Sequence, residues 1–541
     1  MPDTKLSPTA AENSIAPNHA LNETGRAQNQ TDVFAVHGAD PEVLAYAMAK
    51  YSRSSLSMRQ SLKEISSQRA EQFLNTFYFQ YGHRSIADLA HVAFAIERLS
   101  LLAAIVLVDE QRWDGQERST RYQNFLKSGW YLPNFGDAKQ VEQLYTTTVE
   151  NLFSAYERTS AAVFEALKHK VACPPEMKQD AYERTLKARA FDVARYLLPL
   201  ATNTSLGQIV NARTLETQVS RLLSHPAAEI RDLGEKLKQA ATGAAWNLHD
   251  EEFASIQAKI AEVSPELAGK SAPILTREVH VAPTLVKYAT PNEYELKTRA
   301  ELSRAAAELL AGIPIAAAPV VDLVERTESL EVELASTLIY SVSHHPYRQI
   351  RDLVTSFPES RVAEFIELGL QDRGRYDEAL RAFHAGQGLR FDILMDIGGF
   401  RDMHRHRRCT QIIQQFTHLH GYDTPETGDA AGLKEAGVLA DYQATIAAAF
   451  AASSQVAASN APEARESALY LLPLATRIRS LFKMDFAEAQ YISELRSGPA
   501  GHFSYRKIAW EMYLAVQRQH PSLAKYFRVT DFTQPIDILK R

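Results

Sequence analysis

The densest group of side chains able to bind an anion is the basic segment between Phe400 and Phe416. Its letters, FRDMHRHRRCTQIIQQF, place four arginines and two histidines within eight residues. Guanidinium groups hold phosphate through paired, charge-assisted hydrogen bonds, and an imidazole adds a donor or a flat surface for stacking. A solvated surface patch is the alternative, but apolar runs on both sides favour a position at the edge of the core. The segment therefore predicts a site for a phosphorylated ligand.

A second polar group lies in the first half of the chain, in the letters ERSTRY that begin at Glu117. In an extended backbone, alternate residues face the same side, so Glu117, Ser119 and Arg121 would converge on one ligand. A polar strand edge with a surface Glu–Arg pair is the alternative interpretation.

Two other readings of the basic segment lead to different classes of protein. His404, His406, His418 and His420 form two His-x-His pairs of the kind that binds zinc, although the neighbouring arginines oppose a dication. RNA binding through 401–408 is disfavoured by a net charge of −6 and by the lack of interleaved aromatic residues.

The order of features along the sequence indicates a duplicated chain, which would position these polar groups. The heptapeptide YLLPLAT begins at Tyr196 and again at Tyr470, with helical patterns, an arginine and a histidine in the same order around each copy. We predict a first unit over about 31–255 and a second over about 318–541. A disordered lead-in would cover 1–30. The intervening 256–317 would be an extended, Pro- and Gly-containing connector that ends in a helix at about 293–312.

Helical patterns dominate both units, at Arg69–Phe77, Val141–Leu167, Pro175–Tyr196, Leu433–Ala452 and Ala500–Arg518. The best strand candidates are AHVAFAIE and GLRFDILMDI, which stand just before the polar groups. The unit is therefore predicted as α+β. The sequence has no Gly-x-Gly-x-x-Gly after a strand, no Walker A loop and no His-Glu-x-x-His.

The length and the amino-acid composition are those of an ordinary globular protein of more than one domain. The chain has 541 residues, 45% of them hydrophobic and 23% charged, and only two cysteines, which fits a reducing compartment. Its apolar run from Leu99 to Val108 is half the length of a membrane span and predicts a buried segment. The polar start lacks an apolar signal core, so we expect a soluble, cytoplasmic protein.

Together the motifs resemble those of the flavin-dependent thymidylate synthases, whose signature is Arg-His-Arg followed by Glu-x-Ser-x-Arg-Tyr. GHRSIADLAHVAF, from Gly82, is similar to the family's His-x-Ser/Thr stretch, and NAR after the first LLPLAT is similar to its flavin segment. The fold implied is two tandem, helix-rich synthase-like units joined by a connector.

Each half departs from the family pattern in a different place. The first unit has DEQRW where Arg-His-Arg belongs, and Ser205 in place of a phosphate-binding arginine. The second unit keeps Arg-His-Arg but has IQQFTH in place of Glu-x-Ser-x-Arg-Tyr, and DFA in place of Asn-Ala-Arg. The family's sites lie between subunits, so the resemblance implies one composite site between the two units and a lost mirror site.

The resemblance implies methylation of dUMP to dTMP, with FAD as cofactor and NADPH and methylenetetrahydrofolate as co-substrates. Arg496 would polarise the pyrimidine, and neither Cys173 nor Cys409 would attack it. Substrate binding would fall to Glu117, Ser119, Arg121, Arg221, Arg405 and Arg479. Flavin binding would fall to His83, Ser85, Asn211, Arg213, Arg405, His406 and Arg407.

The expected partners are dUMP and folate, without nucleic acid or membrane, and a second chain that completes a tetramer-like assembly. Loss of motifs in both halves leaves an alternative open. The chain would then be an inactive relative that binds flavin or nucleotide, or that has a structural role.

Overall fold

The computed structural model describes residues 34, 36, 38–50, 58, 62, 84–374, 377, 379–386, 388–425, 432–525 and 527–539. The predicted lead-in over 1–30, the helix predicted at Arg69–Phe77 and His83 lie outside these residues. No helix in the described ranges is long and apolar enough to cross a bilayer.

Helices account for most of the regular structure. In chain order they are α1 (Pro41–Lys50), α2 (Leu101–Leu107), α3 (Lys139–Lys170), α4 (Gln179–Ala194), α5 (Ala212–Leu223), α6 (Ala228–Thr242), α7 (Asp250–Val263), α8 (Pro265–Leu275), α9 (Glu293–Leu309), α10 (Leu330–Tyr340), α11 (Tyr347–Thr355), α12 (Glu359–Leu370), α13 (Ile397–Met403), α14 (Leu439–Ala457), α15 (Ala464–Leu469), α16 (Phe486–Ser497), α17 (Phe503–Gln519) and α18 (Pro521–Ala524). Short 3-10 turns lie at Arg84–Leu89, Arg195–Leu197 and Arg381–Phe383.

The strands form two antiparallel sheets. They are β1 (His91–Ser100), β2 (Asp114–Glu117), β3 (Asn203–Asn211), β4 (Val321–Leu323), β5 (Leu389–Asp396), β6 (Thr410–Ile413) and β7 (Arg477–Met484). The first sheet has the order β1-β3-β2, and the second has β4-β5-β7-β6. The second sheet therefore repeats the order of the first and adds β4 at one edge, which confirms the α+β class and the two strand predictions.

The two copies of the heptapeptide lie against each other in the core. Pro199 and Pro473 form an antiparallel bridge, and both copies are almost wholly buried. Four backbone hydrogen bonds of 2.9–3.0 Å join them in pairs that exchange under a two-fold rotation: Leu200 N to Leu472 O, Leu474 N to Leu198 O, Ala201 N to Tyr470 O, and Ala475 N to Tyr196 O. The units therefore meet along their repeated segment, inside the compact part of the chain that begins at Asp40.

A pair of helix caps repeats the same symmetry with the chemistry exchanged. Ser100 caps α2 by accepting from the Ala103 amide at 2.9 Å, and its hydroxyl donates to Glu229 at 2.6 Å. In the second unit the carboxylate of Asp396 caps α13, and the hydroxyl of Ser504 donates to it. In the first unit a hydroxyl caps the helix and a carboxylate on the later helix α6 bonds to it. In the second unit a carboxylate caps the helix and a hydroxyl on the later helix α17 bonds to it.

The apolar run from Leu99 is buried, as predicted. It ends β1 and continues as α2, of which all residues except Val106 are buried. The core that contains it also includes residues of both sheets. Burial of this helix beside the sheet fixes the direction of the following loop, which carries Asp109 and Glu110.

The predicted extended connector is wrong in part. Pro265–Leu275 is a helix, because Ser264 accepts from the Leu267 amide at 3.3 Å and a proline at the first helical position suits the fixed backbone angle. The helix predicted near 293 is confirmed as α9, whose first turn is capped by Asn292. The unit boundaries themselves stay a prediction.

Candidate functional site

The basic segment begins in α13, which follows β5, and contains β6. Arg401, His404 and His406 are buried, and Arg405 and Arg408 are exposed. The segment therefore lies at the edge of the core, with some of its cationic groups inside the protein and others facing solvent.

The ERSTRY segment does not continue as a strand. β2 ends at Glu117, and the chain then turns, since the Ser119 hydroxyl accepts from the Arg121 amide at 3.2 Å. The alternation predicted for an extended backbone is therefore wrong beyond Glu117. The turn nevertheless buries Arg121, which remains only 7% exposed.

The turn and the basic segment meet across the boundary between the units. Arg401 of the second unit forms an ion pair with Glu117 of the first, and both side chains are 8% exposed. Next to them, Arg195 of the first unit lies 3.8 Å from Asp402. The glutamate of one motif thus lies beside the segment that carries the other motif.

Arg121 forms a second connection across the boundary. Its guanidinium pairs with Asp192 at 2.8 Å, and it also donates to the Tyr505 hydroxyl at 2.9 Å and the Ala500 carbonyl at 3.3 Å. Burial lowers the pKa of Arg121, but the ion pair with Asp192 outweighs this and raises it above the usual value. Arg121 therefore stays charged and is held toward the end of the second unit.

Arg496 and His406 form the centre of the candidate site. Arg496 Nε donates to His406 Nε2 at 2.8 Å, and His406 Nδ1 lies 3.5 Å from a Glu488 oxygen. Burial lowers the pKa of His406, so the imidazole is neutral with its proton on Nδ1. The guanidinium of Arg496 lies 5.5 Å from the centre of the Tyr505 ring, and that of Arg121 lies 5.7 Å from it. One tyrosine therefore joins the arginines of the two units.

Arg407 lies beside this centre with an unused donor. Its guanidinium stacks over Trp113 of the first unit at 5.2 Å, and its buried Nη2 makes no hydrogen bond. Burial lowers the pKa of Arg407 to about 10 and that of His404 to about 4. A small cavity here is lined by both units: Asp109, Glu110, Gln111, Arg381, His404, His406, Arg407, Cys409 and Gln411.

In the first unit, the arginine that corresponds to Arg496 is Arg221, and it is already paired with an acidic side chain of the same unit. Arg221 donates through Nε and Nη2 to one oxygen of Glu110 at 2.9 and 2.8 Å, with exposures of 17% and 13%. Burial raises the pKa of Glu110, and Arg221 opposes this. Glu110 receives from Arg221 the bond that His406 receives from Arg496. The carboxylate of Glu110 therefore neutralises Arg221, the arginine that an anionic ligand would otherwise bind. The neutral imidazole of His406 has no such effect on Arg496.

Of the other residues predicted to bind ligands, Ser85, Asn211 and Arg213 lie together in the first unit, and Arg479 lies inside the second unit. Asn211 caps α5 through the Thr214 amide at 2.8 Å, and Arg213 lies 3.4 Å from Asp88 in the 3-10 turn that carries the exposed Ser85. Arg479 is 2% exposed and pairs with Asp392 at 2.9 Å inside the second unit. In the described ranges, no hydrogen bond or ion pair joins Arg405 or Arg479 to Arg121, Arg496 or His406.

Several residues of the cluster were not identified from the sequence. Tyr505, Asp192 and Glu488 carry no motif of their own, and only the fold brings them to the arginines. Arg401 was part of the basic segment, but its pairing with Glu117 depends on the contact between units. Trp113 directly follows the residues DEQR, and no periodic pattern in the sequence indicated that it belongs to the site.

The histidines do not converge on a metal. His404 bonds to Gln411 at 2.7 Å, His418 packs on Phe450, and His420 packs on His344. Among the described residues, no group of three or more potential ligands is placed to hold a metal ion. The zinc alternative therefore has no support in this part of the chain.

The chain is similar to several known proteins, including the following three. A UPF0159 protein of Chlamydia muridarum is 28% identical over 524 residues, which cover 91% of each chain. A flavin-dependent thymidylate synthase of Clostridium tetani is 25% identical over 211 residues, 39% of this chain and 81% of its own. A crystal structure of ThyX from Helicobacter pylori with FAD and dUMP covers 37% of this chain and 89% of its own, at 18% identity and a TM-score of 0.26.

The family described as Thymidylate synthase complementing protein matches residues 35–245 and 386–522. The matched segments fall one in each predicted unit, and together they include the turn at Glu117, the basic segment and Arg496. On this match, the chain belongs to the thymidylate synthase complementing protein family.

Proposed function

We propose that the chain methylates dUMP to dTMP, with FAD as cofactor and methylenetetrahydrofolate and NADPH as co-substrates, at one composite site between its two units. The observation that carries the proposal is the cluster in which Arg121 of the first unit and Arg496 of the second share Tyr505. This cluster combines the surviving motif of each half within one chain.

The side chains around Arg407 fit a flavin. Arg407 Nη2 and Arg401 Nε are buried without a hydrogen-bond acceptor, and buried donors of this kind call for a partner. The pyrimidine end of a flavin ring is rich in acceptor atoms. His406 and Arg407 would hold it, with Asn211, Arg213 and Ser85 of the first unit as further predicted ligands.

FAD, when bound, relays reducing equivalents from NADPH, while the folate supplies the one-carbon unit. The protein's part is electrostatic. Arg496 presents a fixed cation to the pyrimidine of dUMP, and such preorganised charge is worth several kcal/mol, on the order of 3, where negative charge develops. His406 accepts from Arg496 Nε and thereby orients the guanidinium without neutralising it.

Phosphate binding is proposed for the exposed Arg405, with Ser119 and Arg121. Arg479 stays a predicted phosphate ligand only if its pair with Asp392 opens. Neither cysteine is placed as a nucleophile. Burial raises the pKa of Cys409 to about 12, and Cys173 Sγ lies against the carbonyls of Pro174 and Met177.

The proposal is tested by tritium release from dUMP labelled at carbon 5, with methylenetetrahydrofolate and NADPH. We expect release that depends on all three reactants and an absorbance band from bound flavin. A flavin-bound protein that releases no tritium above background contradicts the synthase activity.

An inactive relative that binds flavin or nucleotide, or has a structural role, is the second candidate. It is favoured by the pairs that already occupy candidate ligands, Arg401 with Glu117 and Arg121 with Asp192. A yellow protein that binds dUMP without tritium release would support it.

We also propose that two chains associate into a tetramer-like assembly. Sedimentation at micromolar concentration measures the mass, and a monomer near the 60.4 kDa of one chain would contradict the association.

A further inference from the structure

A cavity of about 160 Å³ lies between the two units, beside the second copy of the heptapeptide. Its walls come from residues 131–134 and the start of α6 in the first unit, and from residues 462–470 in the second unit. Two tyrosines, two prolines and two glutamates are among the lining residues. A single water molecule needs about 10–15 Å³, so the cavity has room for a small organic molecule. None of its residues belongs to the composite site proposed above.

The cavity lies where the other half of the molecule has an aromatic ring. The two side chains that bond to the helix caps are preceded by equivalent residues, Ala228 in α6 and Phe503 in α17. The ring of Phe503 stacks on that of Tyr196, with centroids 6.0 Å apart. Tyr470 is the two-fold equivalent of Tyr196, and beside it Ala228 presents only a methyl group to the cavity. A ligand with a flat apolar body would restore the missing stack.

The wall also carries a buried hydroxyl that no residue completes. Tyr470 is 2% exposed, and its hydroxyl makes no hydrogen bond of ordinary length and angle. The ring of Tyr131 packs against that of Tyr470, with centroids 4.8 Å apart, which fixes the ring that carries the hydroxyl. A buried polar group without a partner is unfavourable, so this hydroxyl indicates a ligand atom that completes it.

The charges around the cavity favour a cation. Glu466 lines the cavity and makes no hydrogen bond or ion pair with the residues that the structure describes. Glu463 also lines it, and is balanced by an ion pair with Arg231. Burial raises the pKa of Tyr131 to about 12, and nearby carboxylates add to this effect more strongly than Arg231 opposes it. A negative field between aromatic rings attracts a positively charged ligand.

We propose that this cavity binds a small protonated amine with a flat apolar body. Glu466 and Tyr470 are four residues apart at the end of α15, so they share one face of the helix. The ammonium group donates to the Glu466 carboxylate and to the hydroxyl oxygen of Tyr470. The apolar body takes the place that Phe503 occupies in the other unit. The site shares no residue with the composite site and does not rest on the proposed synthase activity.

The test is titration calorimetry with benzylamine, which is charged at pH 7, and with two analogues. Benzyl alcohol keeps the ring and lacks the charge, whereas methylammonium keeps the charge and lacks the ring. We expect each analogue to bind at least about tenfold more weakly than benzylamine, because each loses one of the two interactions. Equal binding of either analogue, or no binding of benzylamine at millimolar concentration, overturns the proposal.

Three substitutions locate the binding. Ala228→Phe copies the second unit and should abolish binding, because the new ring takes the place of the ligand. Glu466→Gln should weaken binding about tenfold, because the ammonium group loses a charged acceptor. Glu157→Gln, at an exposed position of α3, is the control and should leave binding unchanged. Unchanged binding by Ala228→Phe or by Glu466→Gln would place benzylamine elsewhere on the protein and overturn the site.

Tyr470→Phe separates binding from stability. This change keeps the ring and removes a hydroxyl without a partner, so the urea midpoint of the free protein should not fall. The affinity for benzylamine should fall about tenfold, because the ammonium group loses one acceptor. A lower midpoint would show that the hydroxyl is already bonded within the protein, and an unchanged affinity would show that the amine does not contact it. Either result contradicts the site.

Discussion

At the scale of single residues, one exchange explains why the two units differ. Arg496 donates to a neutral imidazole at His406, whereas Arg221 donates to a carboxylate at Glu110. The first arginine keeps its positive charge available, and the second is neutralised from within. The identity of one acceptor therefore determines whether each arginine is available to an anionic ligand.

The exchange predicts the behaviour of two substitutions at His406. His406→Glu copies the first unit and should weaken dUMP binding at least about 100-fold, because a carboxylate beside Arg496 competes with the ligand. His406→Gln keeps a neutral acceptor and should cost less than about tenfold. Titration calorimetry measures both. Equal losses in the two variants would show that charge at this position is not the cause.

His502 gives a prediction about pH. Its side chain is fully buried, Nε2 donates to the Asp192 carbonyl at 2.9 Å, and burial holds its pKa well below the usual value, with Arg195 adding to the effect. The unfolded chain binds a proton here below about pH 6.5 and the folded chain does not, so this residue lowers stability as the pH falls. The destabilisation begins near pH 6.5 and grows as the pH falls further.

The test compares urea midpoints of the parent protein and His502→Asn at pH 7 and pH 5. The variant should be clearly less stable at pH 7, and the gap should narrow at pH 5 because only the parent protein loses this contribution. A gap that stays constant or widens would mean that His502 is protonated in the folded state.

At the scale of elements, the paired heptapeptides hold the units together. Leu200 and Leu474 are equivalent under the two-fold relation, and neither is exposed. Their amides form matching bonds to Leu472 and Leu198. The repeated segment is therefore conserved between the halves because each copy is the other's packing partner.

Leu200→Ala and Leu474→Ala should each cost about 2–5 kcal/mol, as for other large-to-small changes in a core. Both should lower the midpoint of one shared unfolding transition, because each leucine packs at the contact between units. Leu248→Ala, at a side chain that is 72% exposed, is the control. Scanning calorimetry that splits into two transitions, with one variant lowering each, would contradict the shared core.

Sequence patterns located the longest helices and one strand of each sheet, but not the contacts between them. AHVAFAIE and GLRFDILMDI became β1 and β5 because apolar density and β-branched residues favour strands; β5 is buried along its length, whereas β1 exposes about half of its residues. The helix α8 was not predicted, because Gly269 and Pro273 are residues that usually interrupt helices. Ser264 and Pro265, however, are typical of a helix start.

The candidate site was predictable to the same extent. The motifs identified Arg121, His406 and Arg496, because their residue types and spacing are carried by the chain itself. Their connection through Tyr505 was not predictable, since it depends on how two units separated by hundreds of residues pack. The turn after Glu117 was missed because a Ser side chain that bonds to the backbone replaces the strand ladder.

At the scale of the whole molecule, the two units contribute different side chains to their junction. The first unit contributes Glu117 and Arg121 to the junction, and the second contributes Arg401, His406 and Arg496. Both cross-unit connections are made within one chain. We therefore expect one nucleotide site per chain, formed without residues from a second chain.

The most direct test measures dUMP binding by Arg121→Ala, by Arg405→Ala and by the two variants co-expressed. Arg118→Ala, three residues from Arg121 and bonded within its own loop, is the matched control, and circular dichroism confirms folding. Each variant should lose binding by at least about 100-fold, since each removes a charged ligand of the same phosphate. Co-expression should restore nothing, because both residues must lie in one chain. Normal binding by either single variant, or recovery on co-expression, would contradict a composite site formed between the two units of one chain.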